Sequence, residues 1–502
     1  MPVDYLKRIL MARVYDVAVE SPLDLAPLLS ERLGNQVWIK REDLQPIFSF
    51  KIRGAYNKMV GLSPSQAEGG VVASSAGNHA QGVALAARKL GIQATIVMPR
   101  TTPGIKVDAV RRLGANVILQ GDNYDGAYEH ACKLRDEQNL TFVHPYDDPD
   151  VIAGQGTVGM EILKQHPGQI DAIFVPVGGG GLIAGVAAYV KSLSPEVRII
   201  GVEPEDADAM SQSLAKGERI RLNSVGTFAD GVAVRMVGVE TFRVAKELVD
   251  EVVIVSNDEI CAAVKDIYED RRSILEPSGA LAFAGLKKYA DEHSLQGKQL
   301  VAIASGANMN FDRLRHISER AEIGERREAV LAVTIPERPG SFREFCAAIG
   351  ARSVTEFNYR YADSKIAHVF VGLQISNSKE LQELMEHLAE RGYEVVDLTD
   401  NEVAKLHVRH MVGGRAPVTI SERMLNFQFP ERPGALMNFL QKMGQEWNIS
   451  LFHYRNHGAD FGRVLVGMEV DPSQSDDLVR FLEDLDYVYS DETDNPAMKM
   501  FL

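Results

Sequence analysis

The sequence predicts an α/β protein, with doubly wound and largely parallel sheets in a two-lobed first domain, followed by two ferredoxin-like α+β domains. Three observations lead there. Up to about residue 320 the chain alternates short apolar runs with helical patterns, the order of a parallel sheet layered by helices. Several of those runs are continuous and β-branched, as in strands buried on both faces. Beyond about residue 328 the pattern changes, and one block of sequence occurs twice.

In chain order, strands are predicted at 37–40 (VWIK), 70–74 (GVVAS), 94–99 (ATIVMP), 116–119 (NVIL), 172–177 (AIFVPV), 198–203 (RIIGVE) and 300–305 (LVAIAS). Ser49 reads as the N-cap of a helix whose apolar positions are Phe50, Ile52, Ala55, Tyr56, Met59 and Val60. Residues 78–91, NHAQGVALAARKLG, read as a helix closed by Gly91. Sheets of this kind bind ligands beyond the carboxyl ends of their strands.

In the second half, TIPERPGSF at 334–342 returns as QFPERPGAL at 428–436, FNYR at 357–360 as FHYR at 452–455, and VFVGLQI at 369–375 as VLVGMEV at 464–470. The first pair is offset by 94 residues and the other two by 95, so one residue was inserted between the copies. The first copy reads strand 329–335, helix 341–350, strands 353–361 and 366–375, helix 378–391 and strand 393–397, the split βαβ order. Two such copies are able to pair their sheets and bury a shared face. MVGGRAP at 411–417 reads as a linker. The predicted boundaries are 1–320 for the first domain, 328–400 and 422–497 for the repeats, and 401–421 for the linker between them.

The chain has 502 residues, too many for a single core. Its 54 basic and 69 acidic residues leave a net charge of −15. That balance opposes a nucleic-acid or anionic-membrane surface but leaves room for a small basic pocket. Cys132, Cys261 and Cys346 are scattered, neither a disulfide framework nor a metal cluster, and suit a reducing compartment. The first residues, MPVDYLKRILMARVYD, carry charges throughout and do not read as a signal peptide. No segment nears the roughly 20 apolar residues of a membrane span. The expectation is a cytoplasmic protein, although a removed targeting peptide would leave no trace.

Four stretches carry candidate chemistry. In SFKIRG at 49–54, Lys51 and Arg53 fall in the first turn of their helix. The positive end of the helix dipole disfavours a cation there and lowers a lysine pKa, which suits an amine acting as nucleophile and base. Taken alone, the stretch reads better as a surface lysine whose stem crosses apolar neighbours. In VPVGGGGLIAGVAAYV at 175–190, a strand runs through Gly178, Gly179, Gly180 and Gly181 into a helix. Such a turn wraps N–H groups around an anion, a phosphate cradle without the Gly-Lys-Ser/Thr of a P-loop. Gly179-x-Gly181-x-x-Ala184, with Glu203 ending the next strand, also fits a loose dinucleotide fingerprint. In ASSAGNHAQGVALA at 73–86, Ser74, Ser75, Asn78 and His79 sit where a helix N-terminus faces the cleft. Plain N-capping explains that loop as well, and His79 reads as structural. In AIASGANMNF at 302–311, Ser305 ends a buried strand, placed either for a ligand hydrogen bond or for a turn.

Together, KREDLQPIFSFKIRGAY at 40–56, SAGNHAQG at 75–82, GGGGL at 178–182, EPSGALA at 276–282 and SGAN at 305–308 resemble the threonine ammonia-lyases (threonine deaminases). These belong to the tryptophan-synthase-β-like, fold type II group of pyridoxal-phosphate enzymes. The resemblance covers nearly the whole chain, and the repeats look like the paired ACT-like regulatory modules of the biosynthetic form. It implies pyridoxal 5′-phosphate as cofactor, in a Schiff base with Lys51, the catalytic lysine. It implies phosphate contacts from the N–H groups of Gly178, Gly179, Gly180, Gly181 and Leu182, Asn78 at the 3-oxygen and Ser305 at the pyridine nitrogen. Ser75, Gly77 and His79 would line the substrate-carboxylate loop.

The implied reaction is β-elimination from L-threonine to 2-oxobutanoate and ammonia, the committed step of isoleucine biosynthesis, inhibited by isoleucine and relieved by valine. The family suggests a homotetramer. Tyr359 and Tyr454, at matching positions of the repeats, are the expected effector contacts, although core aromatics of a repeat look the same. Two departures matter. Ala76 stands where serine racemases carry a second serine, which argues against racemisation. In EPEDADA at 203–209, Ala209 replaces the acid of the E-x-x-x-A-x-D stretch of metal-binding relatives, so no metal site is expected. The rival readings are a broad-range serine/threonine dehydratase, a β-replacing synthase, a non-catalytic branched-chain amino-acid sensor and a dinucleotide oxidoreductase.

Overall fold

Two sheets organise the first part of the chain in the computed structural model, which describes residues 3–336, 341–350, 352, 354–359, 365–410, 421–430, 439, 442–443, 447–455 and 461–501. The chain divides into two compact units, Met1–Ala321 and Glu322–Leu502. Strands of the first unit are β1 (Leu23–Leu25), β2 (Gln36–Arg41), β3 (Val71–Ser74), β4 (Ala94–Met98), β5 (Asn116–Leu119), β6 (Thr141–Phe142), β7 (Ala172–Pro176), β8 (Arg198–Pro204), β9 (Glu251–Val255) and β10 (Gln299–Ala304). The larger lobe has the order β1-β2-β10-β7-β8-β9, the smaller β5-β4-β3-β6. Every pairing is parallel except β1 with β2. The seven strands expected from sequence are present within one residue at each end. The short β1 and β6 gave no readable run, whereas β9 (EVVIV) carried a β-branched signal that was missed.

Alternation along the strands supplies both faces of the large sheet. Phe174, Leu300 and Ala302 enter one core, while Ile173, Val175, Val301 and Ile303 enter the other. The small sheet packs against Ile52, Ala55, Tyr56 and Met59 of the Lys51–Val60 helix and Ala80, Val83, Ala84 and Ala87 of the Asn78–Leu90 helix. The latter ends as expected, at Gly91 in the left-handed region (φ +70°).

Three helices of this unit meet backbone to backbone. A Cβ on Gly154 would lie 2.7 Å from Gly54 Cα and from Arg53 O. One on Gly185 would lie 2.5 Å from Ile152 O and 2.6 Å from Gly156 N. The Pro149–Gln165 helix is thereby wedged between the Lys51–Val60 helix and the Gly181–Leu193 helix, with glycines where the backbones touch.

The second unit holds two antiparallel sheets. The first contains β11 (Glu328–Pro336), β12 (Val354–Tyr359), β13 (Ile366–Gln374) and β14 (Glu394–Asp397), in the order β12-β13-β11-β14. The second contains β15 (Glu422–Pro430), β16 (Asn448–Arg455), β17 (Phe461–Glu469) and β18 (Tyr489–Asp491), in the order β16-β17-β15-β18. The repeat read in sequence is thus a repeat of sheets, each with the ferredoxin-like order. On β11, Leu331 and Val333 face the Ser341–Ile349 and Ser378–Glu390 helices, while Val330 and Ala332 face the other way. That outer face joins Phe370 with Met424 and Leu465 of the second repeat and Ala497 and Met498 of the last helix. The repeats therefore share a buried face.

One boundary changes. Within 401–421, read as linker, Asn401 accepts the Ala404 N–H and starts the Glu402–Leu406 helix, followed by a 3-10 turn at Val408–His410. Val403, Ala404 and Val408 are buried in the shared face. The MVGGRAP stretch at 411–417 and most of the segment expected to form the second repeat's first helix lie outside the described residues. Among the described residues, no helix is long and apolar enough to cross a membrane.

Candidate active site

Lys51 opens its helix, but Ser49 is not the cap. Ser49 pairs with Gly306 as a β-bridge, so the chain turns helical one residue later and Phe50 takes the N-cap position. Ser49 Oγ still accepts the Lys51 N–H at 3.3 Å. Lys51 Nζ donates to Pro145 O at 2.9 Å. Burial lowers this amine from its ordinary value near 10.5 to about 8, against the opposing charge of Glu276. The surface-lysine reading therefore fails, and removal from water depresses the pKa more than any other cause. The amine becomes free as pH rises through about 8. Capture of an aldehyde ligand by the unliganded protein should accelerate up to that pH and then level, as stopped-flow absorbance would read. A rate that keeps climbing toward pH 10.5 would place the amine in water.

Beneath Lys51 lies a closed set of charges. Arg53 grips Glu42 through Nε (2.7 Å) and Nη2 (2.8 Å) and Glu161 through Nη1 (2.6 Å) and Nη2 (2.9 Å). Lys40 Nζ reaches Glu161 Oε2 at 2.6 Å, Ser21 O at 2.5 Å and Gln165 Oε1 at 2.9 Å. All four charged side chains are at most 1% exposed, and they sum to zero. Burial works against the Glu42 charge, but Arg53 beside it still holds its carboxyl below the ordinary range.

The glycine turn lies between β7 and the Gly181–Leu193 helix. Gly180 needs its lack of a side chain, at φ +93°. Thr241 Oγ1 donates to Gly179 O at 2.7 Å, and Gly238 N does so at 3.3 Å. Planarity of the peptide aims the Gly180 N–H the opposite way. Among the described residues, the N–H groups of Gly178, Gly179 and Gly180 make no hydrogen bond. Leu182 is buried in the first turn of the helix, where N–H groups have no intrahelical partner. The result is an anion cradle with its donors unspent.

Across from it, Asn78 begins its helix, its Nδ2 donating to Glu276 Oε1 and its Oδ1 accepting from Asn308 Nδ2, both at 2.6 Å. Ser305 is 5% exposed, and its Oγ donates to Ser278 O at 3.2 Å. His79 Nε2 donates to Val143 O at 2.8 Å, leaving Nδ1 buried without a partner. Burial and the Lys51 charge push His79 down to about 3, so it is neutral. Ser75 and Gly77 line the half-buried loop before that helix, where a Cβ on Gly77 would meet open space.

The cleft so assembled contains Lys51, the cradle, Asn78, Ser305 and the 75–79 loop. Sequence reasoning missed three of its parts. One is Glu276, in the EPSG stretch that served only as a match. Another is Asn308. The third is the loop His144–Asp147: a Cβ on Gly179 would lie 2.2 Å from the Tyr146 ring, and Pro145 meets Lys51. His144 Nδ1 accepts the Asp147 N–H (2.8 Å), and the Asp147 carboxylate accepts the Val239, Glu240 and Thr241 N–H groups. Its position after a strand of a doubly wound sheet was the available signal. Glu203 is removed from the dinucleotide reading. It is fully buried, and both its oxygens accept backbone N–H groups, of Met210 and Ser211, at 2.8 Å. Burial pushes it up to about 8. Among the described residues, no group of three or more His, Cys, Asp or Glu side chains is arranged to hold a metal ion. Tyr359 pairs with Val369 and Tyr454 with Val464, equivalent registers of the two repeats, and both side chains lie outside the described residues.

Residues 15–306 match the family of pyridoxal-phosphate dependent enzymes. Residues 319–408 and 414–502 match the C-terminal regulatory domain of threonine dehydratase. The chain is 57% identical to the biosynthetic L-threonine dehydratase of Burkholderia multivorans, over 99% of both chains. It is 52% identical to that of Escherichia coli, over 99% of this chain and 97% of the relative. The chain belongs to the biosynthetic threonine dehydratase family. Among solved structures, the processed form of threonine deaminase isoform 2 from Solanum lycopersicum is 54% identical, with a TM-score of 0.63, covering 64% of this chain and 88% of that one. Maize serine racemase is 36% identical, with a TM-score of 0.59, covering 62% and 95%.

Members of this dehydratase family depend on pyridoxal phosphate, and the cleft fits that group. The unspent N–H groups of the glycine turn match a phosphate. The amine lowered to about 8 matches an aldehyde that binds through nitrogen.

Proposed function

We propose that this chain deaminates L-threonine to 2-oxobutanoate and ammonia, opening isoleucine synthesis, with its first unit catalytic and its second regulatory. The observation that carries the reading is the amine of the half-buried Lys51 sharing a cleft with an unspent anion cradle. Bound pyridoxal phosphate supplies an electron-withdrawing ring that acidifies the substrate α-carbon. The N–H groups of Gly178 to Gly181 and Leu182 would hold its phosphate, Asn78 would meet the 3-oxygen, and Ser305 would stand by the ring nitrogen as a neutral group. A neutral partner there would limit how much charge the ring takes up, which would favour loss of the β-hydroxyl over transamination. Lys51 Nζ carries the α-proton, at a pKa close to working pH. Ser75, Gly77 and neutral His79 receive the substrate carboxylate on the loop before the Asn78–Leu90 helix.

The second unit takes isoleucine as inhibitor and valine as antagonist, with Tyr359 and Tyr454 as effector contacts. Paired repeats with a shared buried face support a two-state device. The working form is a cytoplasmic homotetramer, with domain boundaries near 1–320, 328–410 and 422–497. A threonine assay with the full chain tests the activity and its regulation. Added isoleucine is expected to suppress 2-oxobutanoate formation, and valine to restore it. A marked kcat/KM preference for serine, or indifference to isoleucine, would sink the proposal.

A further inference from the structure

Glu276 is 4% exposed and precedes the Pro277–Glu292 helix, yet its side chain makes no capping bond to that helix. Burial, with Asp230 nearby, pushes its carboxyl up. Asp230 is itself paired with Lys106 (2.5 Å) and Arg313 (3.3 Å), and Lys51 faces the carboxyl as well. A carboxyl kept at that cost has work beyond its own helix.

One backbone carbonyl fixes the direction of every bond around it. Ile47 O can only accept, so the Asn308 atom 2.7 Å away is its NH2 group. The same nitrogen lies 2.6 Å from Asn78, so the Asn78 atom facing it is Oδ1. Asn78 must then turn its own NH2 toward Glu276 Oε1, 2.6 Å away, where Ser278 Oγ also donates at 3.1 Å. One hydrogen of Asn78 Nδ2 is spent on Glu276, and among the described residues the second meets no acceptor. The same turn seats Ser305. Glu276 N donates to Gly306 O (3.2 Å), Ser305 N to Gly279 O (3.4 Å) and Ser305 Oγ to Ser278 O (3.2 Å). A Cβ on Gly279 would lie 2.0 Å from Gly306 O, so the two turns touch through backbone.

We propose that Glu276 is a positioning residue: as the acceptor shared by Asn78 and Ser278, it anchors the donor end of Asn78, whose direction Asn308 sets, at the cofactor site and fixes the turn that places Ser305. The inference rests on the pyridoxal-phosphate reading of the cleft, and a parent protein that fails to bind the cofactor would reject that reading before any variant is made.

The test titrates cofactor-free protein with pyridoxal phosphate and records both the dissociation constant and the visible absorption band. Glu276→Gln keeps an acceptor oxygen at the same reach and gives up only the charge, so its dissociation constant should rise by no more than about threefold. Glu276→Ala removes the acceptor. Its dissociation constant should rise about tenfold or more, with a shifted band, as loss of a buried charge-assisted bond implies. Asn308→Asp reverses the far end of the chain of bonds, because an aspartate cannot donate to both Ile47 O and Asn78. It should reproduce the Glu276→Ala effect with Glu276 intact, which keeps the test alive if Glu276→Ala does not fold. The proposal is overturned if Glu276→Ala matches the parent, if Glu276→Gln is as weak as Glu276→Ala, or if Asn308→Asp leaves both readouts unchanged.

Discussion

Lys51→Ala should give a folded protein that turns over threonine about 10³-fold or more slowly, since it loses both the covalent anchor and the proton carrier. Little structural loss is expected. The residue is half-buried and its amine makes one hydrogen bond, to Pro145 O, while the Glu276 carboxyl it faces keeps its bonds from Asn78 and Ser278. The change also removes a group whose burial opposes its own charge. The unfolded chain, with its lysine near 10.5, binds more protons than the folded one between about pH 8 and 10.5. The parent without cofactor should therefore gain stability with rising pH across that window, and the variant should lack this increment. Denaturant titrations at pH 7.5 and 10 read that difference, and a borohydride-trapped cofactor adduct at position 51 in the parent alone reads the chemistry. Turnover by Lys51→Ala within tenfold of the parent would remove the lysine from the mechanism.

The second large effect is structural. Glu161→Ala should cost about 3–5 kcal/mol, because it leaves Lys40 and Arg53 buried with Glu42 as their one remaining anion in the network. Breaking a buried pair is far costlier than replacing it whole. The double change Lys40→Met with Glu161→Leu restores neutrality and should recover much of the loss. Equilibrium unfolding by urea compares the two. If the single and double variants unfold at the same midpoint, charge balance is not what the network contributes.

How much of this was legible in sequence depends on where each signal resides. β2, β5 and β7 are runs whose residues face two cores, so composition alone announces them. The repeat was legible because it is a comparison of the chain with itself. Lys51 was not legible from its own stretch: SFKIRG fits a snorkelling lysine equally well, and only the fold brings Pro145 to its amine across 94 residues of sequence. Glu276 and Asn308 failed for the same reason, since their partners Asn78 and Ile47 lie 198 and 261 residues away. The helix at 402–406 was lost to its neighbours, because the glycines and proline of the following stretch dominated the reading. Ser49 was a reasonable cap by type, but a bridge to Gly306 had already claimed its backbone.

The helices that touch at Gly54 and Gly154, and again at Gly156 and Gly185, act as a gauge block. They run from the helix that Lys51 begins to the helix that closes the cradle, with backbone against backbone at both steps. A side chain can be exchanged for a larger or smaller one, and a contact made through it can drift over generations. A contact made by main chain has no such adjustment. The separation of amine and phosphate is therefore inherited whole, and a descendant of this protein that comes to prefer another amino acid must be altered at the rim, among residues 75–79 and 144–147.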